Sequence, residues 1–530
     1  MTRMRDFHGK VQAFRCCILG ARSDARWLQV AACRRAAADS QTCMPARAGP
    51  DLPPAAQSKK KKGASMNKLS LLDLAFFVAE SEASPKHVGG LMIFKRPVRS
   101  AAGFASELYQ ELLAFDDVQA PFNRIIHFSL TGMPTWQESD AVDLEEHLFY
   151  HQLRRGRNGR QELYELVSEL HQPMLERSRP LWELHLIDGL SERRFAIYVK
   201  MHHASADGVT MVRWAADSLA STASDRELRP LWSVGHGAAA RKHKRLEEKM
   251  TQSLLGDLAG VGTRLLGIAR LAAMLALEGA KLTRNAISLP FVADGNTPLT
   301  GQVTAGRQFA TASVSMARVK EICARTRSTL NHVALTCLDG ALHRYLDDEG
   351  VELTRPITIQ MPVNLRQEGE HGTGNKIGII PVELSPPTDD PYVRLRNIGF
   401  SLRNVRSMID GVAPDAIESY TLITGVVAQL AETLGLSERL PPIGNTLVSN
   451  IPGPPDFLYL KGAKMEELHP ISTLPAGNLL NITLFSYAGQ LFFGLIATDE
   501  LPNLERLGRY AGEAFNELEQ SVFDAHQVVS

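Results

Sequence analysis

The stretch "RFAIYVKMHHASADGVTMVRWAADSLA", residues 194–220, reads as a strand, a short loop and a helix. Phe195, Ile197, Val199 and Met201 alternate on one side, as a half-buried strand requires, and helical spacing begins at Gly208 and runs to Ala220. A loop held between two rigid elements is a good place to display a reactive group. This one carries two adjacent imidazoles, His202 and His203, and a carboxylate, Asp207.

Successive strand residues point to opposite faces, so only one of the two histidines faces a cleft and the other turns into the structure. Joint metal binding is therefore disfavoured. A zinc site would also need third and fourth ligands, and the neighbourhood offers only Asp207. No Gly-x-Ser-x-Gly elbow occurs, and nothing local supplies an oxyanion hole for Ser205. What remains is a general base acting on a bound hydroxyl, amine or thiol, worth roughly 10²–10⁴ in rate. Asp207 stands just before the helix, where an N-cap is its plainest role. Counted from His202 the spacing is His-x4-Asp, as in glycerolipid acyltransferases. Those also carry a Pro-Glu-Gly-Thr-Arg-like segment, which is absent here. Counted from His203 it is His-x3-Asp-Gly, the reading preferred here.

The formal net charge is zero, but it is unevenly spread. Residues 1–65 hold 13 Lys or Arg against four Asp, a net of +9, leaving the rest at −9. A mildly acidic body argues against nucleic acid as a partner. Residues 1–65 also hold Cys16, Cys17, Cys33 and Cys43, and the apolar patterning starts only after Met66. They read as an upstream stretch translated from a mis-called start, with a transit peptide as the alternative; either way they stand outside the fold. The body keeps only Cys323 and Cys337, with no run of 18 apolar residues and no secretory signal. A reducing, cytoplasmic setting without a disulfide framework or membrane span is expected.

From Met66 onward helical and strand-like patterns alternate. Helices are expected at Leu69–Ser81, near 103–115 and 161–177, then at 316–326, 331–346, 391–409, 415–435 and 503–521. Strands are expected at His87–Phe94 and Leu181–Asp188, then near 307–315, 356–361, 376–384, 445–449, 478–487 and 490–497. An Ala/Leu-rich helix, Leu254–Leu282, lies between the halves. The fold class is α/β (α+β), with two domains joined by a long linker: an extension at 1–65, an N-terminal domain at 66–235, a helical linker at 236–302 and a C-terminal domain at 303–530.

His202-His203-x-x-x-Asp207-Gly208 resembles the motif of chloramphenicol acetyltransferase-like enzymes and condensation domains. Other segments narrow the resemblance. "SRPLWELHLIDGL" (178–190) precedes the motif; "LNHVALTCLDGALHRYL" (330–346), "MPVNLR" (361–366), "GNKIGIIPVEL" (374–384) and "LVSNIPGPPDFLYLKGAKM" (447–465) follow in order. With "LSLLDLAFFVAES…HVGGLMIF" after Met66, the chain resembles the bacterial wax ester synthase/acyl-CoA:diacylglycerol acyltransferases from Met66 to its end. The resemblance implies two chloramphenicol acetyltransferase-like domains packed as a pseudo-dimer around an interdomain channel. It implies acyl-CoA as donor and a long-chain alcohol or diacylglycerol as acceptor, with no cofactor and no metal.

By the same resemblance His203 is the general base and His202 is structural. Asp207 pairs with an arginine, matched here by Arg366, to brace the loop. The family's usual Asn-Asp is replaced by Asn331-His332, so no aspartate role carries over. Asn331 remains a candidate for capping or positioning its helix, and His332 reads as an exposed helix-terminal histidine. Pro180, Leu181 and Trp182 start a strand and set an aromatic against the channel wall, with core packing as the plainer role. Asn450 and Gly453 read as a tight turn at a strand end, whose amides would donate to an oxyanion or simply make the turn. Gly374 and Asn375 are read alike. Tyr420–Leu436 and Leu254–Leu282 are candidates for lining the channel, with core packing as the plainer role, and the latter for lying on a membrane or lipid inclusion. Two other readings fit the motif: a condensation-type N-acyltransferase and a non-catalytic lipid-inclusion protein.

Overall fold

The computed structural model describes residues 67–69, 71–128, 134–154, 159–234, 293–365, 377–412, 414–437 and 439–527. The N-terminal extension, the Leu254–Leu282 segment, Arg366, Gly374 and Asn375 thus lie outside the described residues. The chain divides into compact units at 1–62 and 63–530, and everything described belongs to the second.

In chain order the first half comprises β1 (Asn67–Lys68), α1 (Leu71–Ala79), β2 (His87–Lys95), α2 (Phe104–Leu113), β3 (Arg124–His127), β4 (Thr135–Glu138), β5 (Leu148–Gln152), α3 (Gly159–His171), β6 (Trp182–Leu190), β7 (Arg194–His202) and α4 (Gly208–Ser218). The second half runs β8 (Gln308–Ser315), α5 (Met316–Thr326), α6 (Leu330–Asp348), β9 (Thr358–Asn364), β10 (Ile377–Glu383), α7 (Pro391–Ile409), α8 (Pro414–Thr433), β11 (Thr446–Pro452), β12 (Tyr459–Leu460), β13 (Ala463–Ile471), β14 (Leu480–Tyr487), β15 (Gln490–Ala497) and α9 (Leu504–Gln527).

These strands make two six-stranded sheets, ordered β12-β13-β2-β7-β6-β5 and β10-β9-β11-β14-β15-β8, and a small sheet β1-β4-β3. Both large sheets are mixed: β5 runs parallel to β6, and β11 parallel to β9 and β14. The architecture is two α/β sheet regions within one unit. Chain order and sheet membership part company at β13, which leaves the second half to pair antiparallel with β2, from Lys464 opposite Lys95 to Ile471 opposite Gly89. The sequence shows no strand there because "AKMEELHPI" breaks alternation; the register shift between Met465 and Glu467 is where it breaks. Arg194 holds Glu466 at 2.8 Å, and Arg160 grips Glu467 at 2.7 and 2.6 Å.

The two large sheets meet through a shared apolar cluster: Leu91, Ile93 and Tyr198 from one, Phe309 and Ile496 from the other. β7 is buried along nearly its whole length, as expected of a central strand covered on both faces. Helices α6 and α9 pack with the second sheet into the largest core, through Leu338, Leu342, Phe515 and Leu518. Helix α3 stops at His171, earlier than its spacing suggests, because Pro173 ends the helical run. At the start of α6 the cap is Thr329, whose hydroxyl accepts the His332 N–H while the His332 ring accepts the Thr329 N–H, each at 3.3 Å. His332 is therefore half-buried and part of a capping box, where the sequence suggests an exposed histidine and a capping Asn331.

Candidate active site

The end of β7 is pinned from both sides. The His202 N–H donates to the Leu181 carbonyl at 3.0 Å, and the His203 N–H to the Lys86 carbonyl at 2.8 Å. A turn closes with Ser205 N–H on the His202 carbonyl at 2.9 Å. Asp207 then caps α4, its Oδ1 accepting the Thr210 N–H at 2.8 Å.

The two imidazoles separate as strand alternation requires. Ile197, Val199, Met201 and His203 all line a cavity of about 970 Å³, and His202 does not. The His203 ring stacks on Phe76 of α1, with centroids 4.3 Å apart. His202 stacks on the next residue, Phe77, also at 4.3 Å, and its Nε2 lies 3.4 Å from Glu80 Oε1. Burial acts to raise the Glu80 carboxyl, but His202, the Arg177 guanidinium at 2.8 Å and the Lys86 N–H together hold it down at about 2. Glu80 is thus an ionised anchor that fixes the His202 ring. Burial pushes the His203 imidazole down to about 4, with the charges of His202 and Lys86 acting in the same direction and Asp207 opposing. His203 is neutral at pH 7, the state a base needs.

The cavity lies between the two large sheets. One wall comes from β2 (Val88, Gly90, Met92, Phe94), β7, α1 and α4; the other comes from β9, β10, β11, β14 and α8, including Thr421, Leu422, Val426 and Leu430. The Tyr420–Leu436 segment thus contributes to the lining, beyond the core packing that is its plainer role. The walls are mainly apolar, which suits a long aliphatic guest. The halves approach closely at the motif glycine: a Cβ on Gly208 would lie 2.6 Å from Ile451 Cδ1 on β11. Glycine at 208 serves close packing and not an unusual φ: a Cβ there would make the end of the Ile451 side chain shift.

Asn450 lines the cavity and Asn331 meets it from the start of α6, the Asn450 Nδ2 donating to Asn331 Oδ1 at 2.5 Å. Asn450 sits within β11 rather than in a turn beyond it. Gly453 stands outside the lining; a Cβ there would fall 2.3 Å from the Phe485 ring, so it lets the chain after β11 close on β14. Pro180, Leu181 and Trp182 are also outside the lining. Leu181 packs in a small core with Phe77 and Ala204. Trp182 donates to the Phe122 carbonyl at 2.8 Å and stacks on His147 and Trp232. Trp232 is the ring that reaches the cavity, so Trp182 backs the wall.

Sequence reasoning passes over Phe76, Glu80 and Lys86. "AFFVAE" and "SPKHVGG" carry a signal only once an acidic residue and a lysine in apolar flanks are taken as buried. Among the described residues, no three His, Cys, Asp or Glu side chains are grouped to hold a metal ion, and no helix is long and apolar enough to cross a membrane.

The same fold occurs in the first condensation domain of the calcium-dependent antibiotic synthetase, at 14% identity over 86% of this chain and 96% of that one, with a TM-score of 0.55; this likeness is of fold alone. The family relationship comes from closer matches. The model of the wax ester synthase/diacylglycerol acyltransferase catalytic domain matches residues 69–334, and that of the WS/DGAT C-terminal domain matches residues 373–519. A probable diacylglycerol O-acyltransferase of Mycobacterium tuberculosis is 32% identical over 456 residues, covering 85% of this chain and 98% of the relative. The wax ester synthase/diacylglycerol acyltransferase of Marinobacter aquaeolei VT8 superposes with a TM-score of 0.68 at 28% identity, covering 86% of this chain and all of that one. The chain belongs to the wax ester synthase/diacylglycerol acyltransferase family, a family of acyltransferases.

Proposed function

We propose that the chain transfers a long-chain acyl group from acyl-CoA to the hydroxyl of a fatty alcohol, a diacylglycerol, or both, with His203 as general base. The observation that carries this reading is that His203, and not His202, faces the cavity between the sheets. The neutral imidazole takes the hydroxyl proton as the oxygen attacks the thioester carbonyl. The tetrahedral intermediate collapses with cleavage of the C–S bond, and the imidazolium returns its proton to the departing thiolate. No covalent acyl-enzyme and no metal enter the scheme. Burial makes His203 a weak base, so the step relies on positioning of both substrates in the closed site and on the Asp207 carboxylate, whose charge favours the imidazolium.

Asn450 is the proposed oxyanion donor: one of its two N–H bonds is held by Asn331, which leaves the amide oriented at the cavity edge. Asp207 serves as a brace, through its cap on α4 and a proposed pairing with Arg366. The two sheet regions correspond in this reading to two chloramphenicol acetyltransferase-like domains in a pseudo-dimer, with the cavity as the channel between them; Gly374 and Asn375 are proposed substrate contacts. A chain of sixteen carbons buried there gains on the order of 12 kcal/mol gross. Val78, Val426 and Leu430 are exposed and also line the cavity. An apolar mouth of this kind supports peripheral contact with a membrane or lipid inclusion, where the substrates reside.

The test is a CoA-thiol release assay on purified residues 66–530 with palmitoyl-CoA and hexadecanol, diacylglycerol or hexadecylamine. Release dependent on an alcohol or diacylglycerol is the expected result. Amine-dependent release would replace this reading with N-acyl transfer, and no release with any acceptor would leave a lipid-binding protein.

A further inference from the structure

Lys86 lies in the loop before β2. It is buried, with only 4% of its surface exposed, yet it forms part of the cavity wall. Its Nζ donates to Ser84 Oγ at 2.6 Å and to the Leu474 carbonyl at 3.0 Å. These direct partners are neutral oxygens and use two of the three N–H bonds of an ammonium. The nearby carboxylates act on the Lys86 ammonium only at longer range and have partners of their own: Glu432 accepts the Gly477 N–H at 2.7 Å, and Glu80 holds Arg177 and the Lys86 backbone N–H. His203 is adjacent, since its N–H donates to the Lys86 carbonyl.

A cation buried at an apolar wall is costly unless an opposite charge meets it directly. The guest that satisfies both the cation and the wall is an anion with a long aliphatic chain. An alcohol and a thioester both lack charge at the reacting end. We infer that this cavity binds a long-chain carboxylate, a free fatty acid, with its head on Lys86 Nζ and its chain along β2 and β7. Bound there it lies beside His203 and competes with acyl-CoA, so the site is inhibited by the hydrolysis product of its own donor. The binding of a fatty carboxylate stands on the cavity and is read without the transfer reaction, whereas its competition with acyl-CoA rests on the proposed function.

The experiment compares palmitate with methyl palmitate by displacement of a fluorescent fatty acyl probe from the purified protein at pH 7. Palmitate is expected to bind roughly 10- to 100-fold more tightly, the worth of a charge-assisted hydrogen bond. Lys86→Met should abolish that difference while methyl palmitate still binds, which also shows that the cavity persists. Equal binding of the two ligands by the native protein overturns the inference, as does a preference that survives Lys86→Met.

A pH series on the native protein needs no variant. Burial, with the Arg307 charge, brings the Lys86 ammonium down to about 8 against the opposing pull of Glu432 and Glu80. The preference for palmitate should be full at pH 7 and decline above about 8. Of the groups facing Lys86, Glu80 at about 2 and His203 at about 4 titrate below this window, and Arg307 at about 10 lies above it when the series ends at pH 9. Burial raises the Glu432 carboxyl, and its ionisation with rising pH also weakens anion binding. A preference constant to pH 9 refutes the assignment.

Discussion

Gly90 offers a perturbation whose size follows from the cavity itself. It lies on the cavity-facing side of β2, between Val88 and Met92, opposite Val199 of β7 and Pro470 of β13, all of which line the cavity. A Cβ built on Gly90 meets nothing within 4 Å, so the space above it is space for a guest. Gly90→Val places three carbons there. If they displace three methylenes of a bound chain at about 0.8 kcal/mol each, the loss is ~2.4 kcal/mol, or roughly 50-fold in kcat/KM. The fold should not suffer, because valine suits a strand better than glycine. The assay is thermal melting together with kcat/KM across acyl-CoA donors from eight to eighteen carbons. Long donors should lose about 50-fold, short donors should be nearly unaffected, and Tm should hold or rise. Equal loss for all lengths in a protein of unchanged Tm would show that the guest does not run past Gly90.

At the close approach of the two halves, Gly208→Ala should cost no more than about 1 kcal/mol in denaturant melts, because the Ile451 Cδ1 it meets is the free end of a side chain that can turn away. Ile451→Val, which removes that carbon, should restore the loss in the double variant; a loss well above ~1 kcal/mol that survives in the double variant would place the clash elsewhere. The pH profile of kcat/KM should be flat between pH 7.5 and 5.5, because His203 stays neutral down to about 4; an acid limb near 6.5 would mean that the base is another group or is less buried. Stability should fall with acid. His171 is pushed by burial from 6.5 to about 3 in the folded state, so below pH 6.5 the unfolded chain binds more protons and stability drops by about 1.4 kcal/mol per pH unit for this group. Chemical denaturation at pH 7 and 5 should show the slope, and His171→Gln should reduce it.

Much of the motif segment was legible because its physics is local. Alternation along β7 separates the two histidines onto opposite faces, the family resemblance points to His203, and helical spacing after Gly208 marks the start of α4. Most other strands and helices of the two sheet regions fall where their periodicity places them. The misses share a cause. β13 leaves its neighbours in sequence to join β2, and its buried pattern is broken by a bulge and two glutamates. The short strands β3, β4 and β5 carry too few residues to show a period. At the site, nothing local marks Glu80 and Lys86, since only tertiary packing buries their side chains. Trp182 reads as a wall residue, but the ring it stacks on, Trp232, is the one that reaches the cavity. Asn331 and Asn450 lie 119 positions apart, and only the tertiary fold brings their amides together.

The central claim is that His203 is the proton acceptor in acyl transfer. The most direct measurement is kcat for palmitoyl-CoA and hexadecanol in native protein and in His203→Ala, with circular dichroism and Tm confirming that both are folded. A loss of roughly 10²–10⁴-fold in kcat, with Tm near the native value, is the result predicted. Native kcat in a folded His203→Ala protein would contradict the account.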